Sequence, residues 1–138
     1  MKFKDILYYK GTRIKIIFAA TSTNSMPSKE YLEERIPAEW AKLDRILKRL
    51  GDFGKVKNKQ QFRSVGDGLY EAKAGIRRLV GYFVPNHFVL THGFNKRGGG
   101  KSANRFPSKE RKRALNIKLD FEPLFKNMIK GMGHGHKK

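Results

Sequence analysis

Between Gly68 and Phe94 the chain carries three short segments rich in β-forming residues: GLYEAKA from Gly68, RRLVGYFV from Arg77 and HFVLTHGF from His87. Ala74-Gly75 and Pro85-Asn86 separate them, and connections this short and turn-like read as the corners of an antiparallel meander. Upstream, RIKIIFAA (Arg13 to Ala20) is an apolar, isoleucine-rich run that reads as an earlier strand behind a charged leader, residues 1–12. The order of elements therefore predicts an α+β fold in one domain over 1–138, with a small, mainly antiparallel sheet packed on helices and its other face open.

Two consecutive helices are expected between the first strand and the meander. The cluster TSTNSMPS ends in Ser28, a candidate N-cap for KEYLEERI, and Pro37 suits only the first turn of a new helix. In that second helix Trp40, Leu43, Leu47 and Leu50 share one face, and Gly51 supplies a left-handed terminator. Residues 52–67 read as a connection. After the loop NKRGGGKSANRF, a helix should run from Pro107 or Ser108 to about Asp120 with Leu115 and Leu119 on one face. Pro123 should interrupt it, PLFKNMI adds a turn or two, and residues 131–138 (GMGHGHKK) are too small and polar to pack.

Charge narrows the partner. The 138 residues contain 31 Lys or Arg against 12 Asp or Glu, a formal +19, yet 38% hydrophobic content is too rich for a disordered polycation. From Lys29 to Arg49 the net is only +1, so the helical pair reads as a scaffold and the anion-binding surface should come from the later chain. Nucleic acid is the commonest partner for such a domain, with an acidic protein or an anionic membrane surface as competitors. The basic loop lacks the apolar face of an interfacial helix, which disfavours the membrane. No run approaches a membrane span and MKFKDILYYKGTR has no apolar signal core, so a cytoplasmic location is the default expectation. With no cysteine, disulfides, Cys-ligated zinc and thiol catalysis are excluded.

Lys96 to Arg113 holds the densest charge, net +7: Lys96, Arg97, Lys101, Arg105, Lys109, Arg111, Lys112 and Arg113 against Glu110. Such a loop can follow an irregular phosphate backbone, and Phe94 and Phe106 at its edges could stack on bases. A solvated basic loop without a ligand is the plain alternative. Gly100-Lys101-Ser102 mimics the end of a P-loop, but Asn95 stands where that motif needs glycine. His92 shares strand parity with Phe88, Leu90 and Phe94, which favours a packed imidazole over a proton carrier. No histidine or carboxylate spacing supports a metal site or cofactor. Arg77 and Arg78, as neighbours on one strand, should point to opposite faces, with Lys73 a further cation in the same hairpin.

The set Gly68-Leu69-Tyr70-Glu71-Ala72-Lys73, Gly75-Ile76-Arg77-Arg78-Leu79-Val80-Gly81-Tyr82-Phe83 and Leu90-Thr91-His92-Gly93-Phe94, followed by Lys96 and Arg97, resembles the HigB branch of the RelE-type toxins, including phage-derived relatives. The likeness runs from the first strand to the helix at Pro107. It implies a RelE-like fold and a toxin of a toxin-antitoxin system: an endoribonuclease that cuts mRNA, usually on the ribosome, and is held by an acidic or helix-turn-helix antitoxin. Arg78 matches the family's strand arginine at the scissile phosphate, Lys73 stands where the family often has arginine, and Lys96 and Arg97 match the basic pair after the HGF strand. The loop from Gly98 to Phe106 is longer than usual, and the family's C-terminal active-site aromatic or histidine has no clear counterpart.

RNA's own 2′-hydroxyl can attack the adjacent phosphorus, so cations can supply most of the chemistry without a metal. Arg78 is assigned to charge stabilisation, Lys73 or Lys96 to proton transfer, and His92 to reserve proton carrier. Arg77, Arg97, Lys101, Arg105, Lys109 and Arg111 are the expected RNA contacts. The competing reading is a noncatalytic RNA- or DNA-binding module that uses the same basic face.

Overall fold

The computed structural model describes residues 1–97 and 105–136, with side chains described to residue 132. In chain order the elements are α1 (Phe3–Ile6), β1 (Leu7–Lys10), β2 (Lys15–Phe18), α2 (Pro27–Glu33), α3 (Pro37–Phe53), β3 (Phe62–Gly66), β4 (Leu69–Ala74), β5 (Arg77–Val84), β6 (His87–Asn95) and α4 (Ser108–His136). The fold is α+β. Among the described residues the strands form one sheet, ordered β1-β2-β6-β5-β4-β3. Its neighbours are antiparallel except β2 and β6, which run parallel with Lys15 opposite His87 and Phe18 opposite Leu90.

The meander is the expected one, but the sheet gains a strand at each edge. The charged leader forms α1 and β1, because Leu7, Tyr8 and Tyr9 offer enough half-buried surface to pair with β2. The connection 52–67 contains β3, where Phe62 is buried and Arg63 half-buried. The first strand itself is shorter than Arg13 to Ala20.

Helices cover both faces, so the second face is not open. On one side α2 and α3 bury Leu32, Leu43, Ile46, Leu47 and Leu50 against Ile16, Phe18, Leu79, Phe88 and Leu90. Trp40 stays at the margin, 38% exposed. On the other side α4 buries Ala114, Ile117 and Phe121 against Ile17, Val80, Tyr82 and Val89. Leu115 is only half-buried and Leu119 is exposed, so the buried stripe of α4 is not the one the leucines mark.

Three helix boundaries differ from expectation. Ser28 is no N-cap: α2 begins at Pro27, and the buried Ser28 hydroxyl donates instead to the Leu90 carbonyl at 3.1 Å. Gly51 lies inside α3, where Gly11 packs directly on its backbone and its carbonyl accepts from the Arg13 and Ile14 amides, both at 2.9 Å. The left-handed residue that closes α3 is Gly54, φ +75°. Pro123 does not interrupt α4, whose backbone is helical through His136 and so takes in most of the tail expected to stay unpacked. The carbonyl deprived of a donor by Pro123 belongs to Leu119, an exposed residue, where water can replace the lost bond.

A bulge in β6 decides which residues face α4. Leu90 pairs with Gly81 and His92 with Val80, so Thr91 is an extra residue, buried, with its hydroxyl donating to the Val80 carbonyl at 3.2 Å. Phe88 and Leu90 therefore face α2 and α3, whereas His92 and Phe94 face α4. The shared parity expected of these four residues is broken at Thr91.

Candidate functional site

Four strands deliver charged side chains to one end of the sheet, beside the β4–β5 turn. Lys73 at the end of β4 pairs with Arg78 at the start of β5, and Arg63 of β3 pairs with Glu71 of β4. Two backbone bonds fasten this end, from the Lys73 amide to the Gln61 carbonyl and from the Lys96 amide to the Ile76 carbonyl, each 2.7 Å. The second brings Lys96 to the cluster as the chain leaves β6.

Glu71 is the centre. It is 1% exposed, with Arg63 Nε 2.6 Å from its Oε2 and Arg78 Nε 3.5 Å from its Oε1. Arg78 is buried and held in place, its Nη1 donating to the Gly75 carbonyl at 2.6 Å and to that of Arg77 at 3.1 Å. A guanidinium fixed by the turn beside it is preorganised for an incoming anion. Lys96 Nζ donates to the Arg105 carbonyl, just ahead of α4.

Four cations around one carboxylate repel each other. Burial, then the charges of Arg63 and Arg78, hold the Lys73 ammonium below the ordinary lysine value against the pull of Glu71. Lys96 is lowered too, by burial first and then by Arg78, Arg63 and Lys73, with Glu71 opposing. Burial also lowers Arg78, but a guanidinium starts so high that it stays charged. The cluster thus combines a fixed cation with two lysines whose neutral forms are within easier reach, the requirements for stabilising a phosphorane and accepting a proton.

The remaining expected residues divide. Arg77 points to the opposite face, as its neighbour relation to Arg78 requires, and is engaged by Glu39 of α3 through Nη2 at 2.6 Å and Nε at 3.0 Å. Arg97, Arg105 and Lys109 are exposed, and Lys101 lies outside the described residues. Arg111 clasps the β3–β4 turn, with Nη1 3.1 Å from Asp67, Nη2 donating to the Val65 carbonyl, and the guanidinium against Phe106. That makes it a structural strut.

His92 is fully buried, with Nε2 3.0 Å from Glu110 and Nδ1 3.2 Å from the Thr91 hydroxyl. Burial, then Arg113, push its pKa well down despite Glu110, so the imidazole is neutral near pH 7. Phe94 stacks on His92 and meets Phe106 edge-on, and Phe106 is 8% exposed, so these rings are packing partners in the second core.

Sequence reasoning passed over two residues of the cluster. Arg63 lay in the supposed connection, because Phe62-Arg63-Ser64-Val65 runs apolar, polar, polar, apolar and lacks the period-2 alternation of a strand. Glu71 sat within the GLYEAK motif without a role. The helical pair also contributes more than its net charge implies, since Lys42, Arg45 and Arg49 of α3 share a groove of about 230 Å³ with Gln61 and Lys73. Among the described residues no group of three or more His, Asp or Glu is placed to hold a metal ion. None is long and apolar enough as a helix to cross a membrane. No family model and no curated protein matches the chain.

Proposed function

We propose that this chain is a RelE/HigB-like toxin with a RelE-like fold, a metal-independent endoribonuclease that cuts mRNA, in the cytoplasm and on the ribosome, until a cognate antitoxin neutralises it. The observation that carries the proposal is the Glu71-centred cluster of Arg63, Lys73, Arg78 and Lys96, in which the motif residues Lys73, Arg78 and Lys96 converge.

The reaction follows from the substrate. A neutral Lys73 or Lys96 takes the proton of the 2′-hydroxyl, and the 2′-oxygen attacks the adjacent phosphorus. The P–O5′ bond breaks, and the leaving 5′-oxygen takes a proton from the second lysine in its ammonium form. The products are a 2′,3′-cyclic phosphate and a 5′-hydroxyl. Arg78 offsets the extra negative charge on the phosphorane oxygens, a charge that the ground state lacks. Glu71 keeps the cations together while leaving the site net positive. His92, neutral and bonded to Glu110 under α4, is a positioning residue for the bulge and takes no proton in this scheme.

Purified protein mixed with mRNA in EDTA, with and without ribosomes, tests the proposal. Fragments ending in 2′,3′-cyclic phosphate or 3′-phosphate are expected. RNA binding without cleavage in either setting replaces the proposal with the noncatalytic binding module.

A further inference from the structure

A second feature sits on the other side of Lys73. The segment that follows α3 overhangs the edge of the sheet and, with β3, β4 and the end of β5, encloses a groove of about 870 Å³. Its floor is aromatic. Phe62 and Tyr70 stack with their rings 7° apart and centroids 5.4 Å apart, and Phe83 stands edge-on to Tyr70 at 5.0 Å. Phe83 is 39% exposed although it packs on Phe62, Tyr70 and Phe88. Its rim is cationic: Lys55, Lys57 and Lys59 are exposed, and none of the residues lining the groove is acidic.

We infer that this groove is a binding site for single-stranded RNA, in which a base lies against Phe83 and Tyr70 while Lys55, Lys57 and Lys59 hold the flanking phosphates. An accessible π-face beside a row of lysines is the pairing that single strands use, because every base has a face to stack and every linkage a charge to neutralise. An acidic peptide would satisfy the lysines but leave the exposed rings without a planar partner. Arg63 and Lys73 line the groove, so two cations of the Glu71 cluster border it, while Tyr70 and Glu71, neighbours on β4, face opposite sides of the sheet. That the strand is then cut rests on the nuclease reading; that the groove holds it does not.

The test uses the intact protein and a fluorescent eight-nucleotide RNA with 2′-O-methyl groups, which cannot attack its own phosphates. The triple variant Lys55→Gln, Lys57→Gln, Lys59→Gln should lower the slope of log affinity against log salt by about 2, from about 0.7 per phosphate contact on a single strand. Phe83→Leu keeps an apolar side chain but removes the π-face. It should weaken binding about 5- to 150-fold, the range for one lost stack, with the salt slope unchanged. Thermal melts followed by Trp40 fluorescence confirm that both variants are folded. Unchanged affinity and slope in the folded variants overturns the inference, as does polyglutamate of equal charge competing fully while Phe83→Leu has no effect. If the variants behave as expected but the wild type never cleaves natural RNA, the groove stands and the nuclease proposal falls; if cleavage is intact and the variants bind normally, the reverse holds.

Discussion

Replacing Glu71 by Gln removes one charge and changes almost no volume, so it isolates what the carboxylate does for the cations around it. In the wild type the carboxylate is 1% exposed and lies 2.6 Å from Arg63 and 3.5 Å from Arg78. Breaking a buried ion pair by removing one partner costs about 3–5 kcal/mol, because the other charge is left uncompensated. The Arg63 side chain is 24% exposed and can recover some hydration, whereas that of Arg78 is 8% exposed and cannot. The lower end, about 3 kcal/mol, is therefore expected. For a chain of this size that corresponds to a melting point lower by roughly 10–15 °C. Urea unfolding followed by fluorescence of Trp40, the one tryptophan, measures the loss directly. Sulfate should restore part of it relative to chloride at equal ionic strength, since a bound dianion replaces the missing negative charge, and should help the wild type less. A Glu71→Gln protein within about 0.5 kcal/mol of wild type and indifferent to sulfate would refute the claim that these cations form one mutually repelling site.

Other consequences follow from the same geometry. With Lys73 and Lys96 both lowered, and one needed neutral while the other is an ammonium, the cleavage rate should rise and then fall with pH in a bell whose optimum lies below 10.5; a profile flat from roughly pH 6 to 10 excludes the lysine pair. His92 has a folded pKa below its unfolded one, so the folded state binds fewer protons; stability is full above about pH 6.5 and declines as pH falls below it. Its ring resonances should accordingly stay constant by NMR from roughly pH 8 to 6, and a midpoint near 6.5 or above contradicts the buried neutral imidazole. Gly11→Ala would drive a methyl group into the Gly51 backbone and should cost about 1–3 kcal/mol in urea titrations; a neutral result removes the close approach of the β1–β2 turn to α3.

Much of the fold was legible because local signals agreed. The meander announced itself through β-formers and two-residue breaks, and α3 through Leu43, Leu47 and Leu50, all fully buried. The misses have a common origin in contacts distant along the chain. Leu7 to Lys10 become a strand only because β2 offers an edge, and a side chain at Gly51 would run into the Tyr9 ring, which no helix-end rule can reveal. Thr91 reverses the faces of His92 and Phe94 through a bulge set by the Val80–Gly81 register. At the candidate site the motif named Lys73, Arg78 and Lys96, and the structure gathers them. What the motif left out was the counterion Glu71 and the edge cation Arg63, since only strand pairing places Arg63 opposite Glu71. Arg111 illustrates the converse: a residue counted for its charge is occupied by Asp67 and the Val65 carbonyl.

The Glu71-centred cluster as a catalyst stands or falls on Arg78. Wild type and Arg78→Ala, matched for folding by circular dichroism and melting, should be compared on the same RNA in EDTA and for growth inhibition in cells. Arg63 remains against Glu71 in the variant, so the fold should persist while cleavage falls about 10²- to 10³-fold and growth inhibition disappears. A well-folded Arg78→Ala protein that cleaves RNA and arrests growth like the wild type contradicts the assignment of this cluster as the active site.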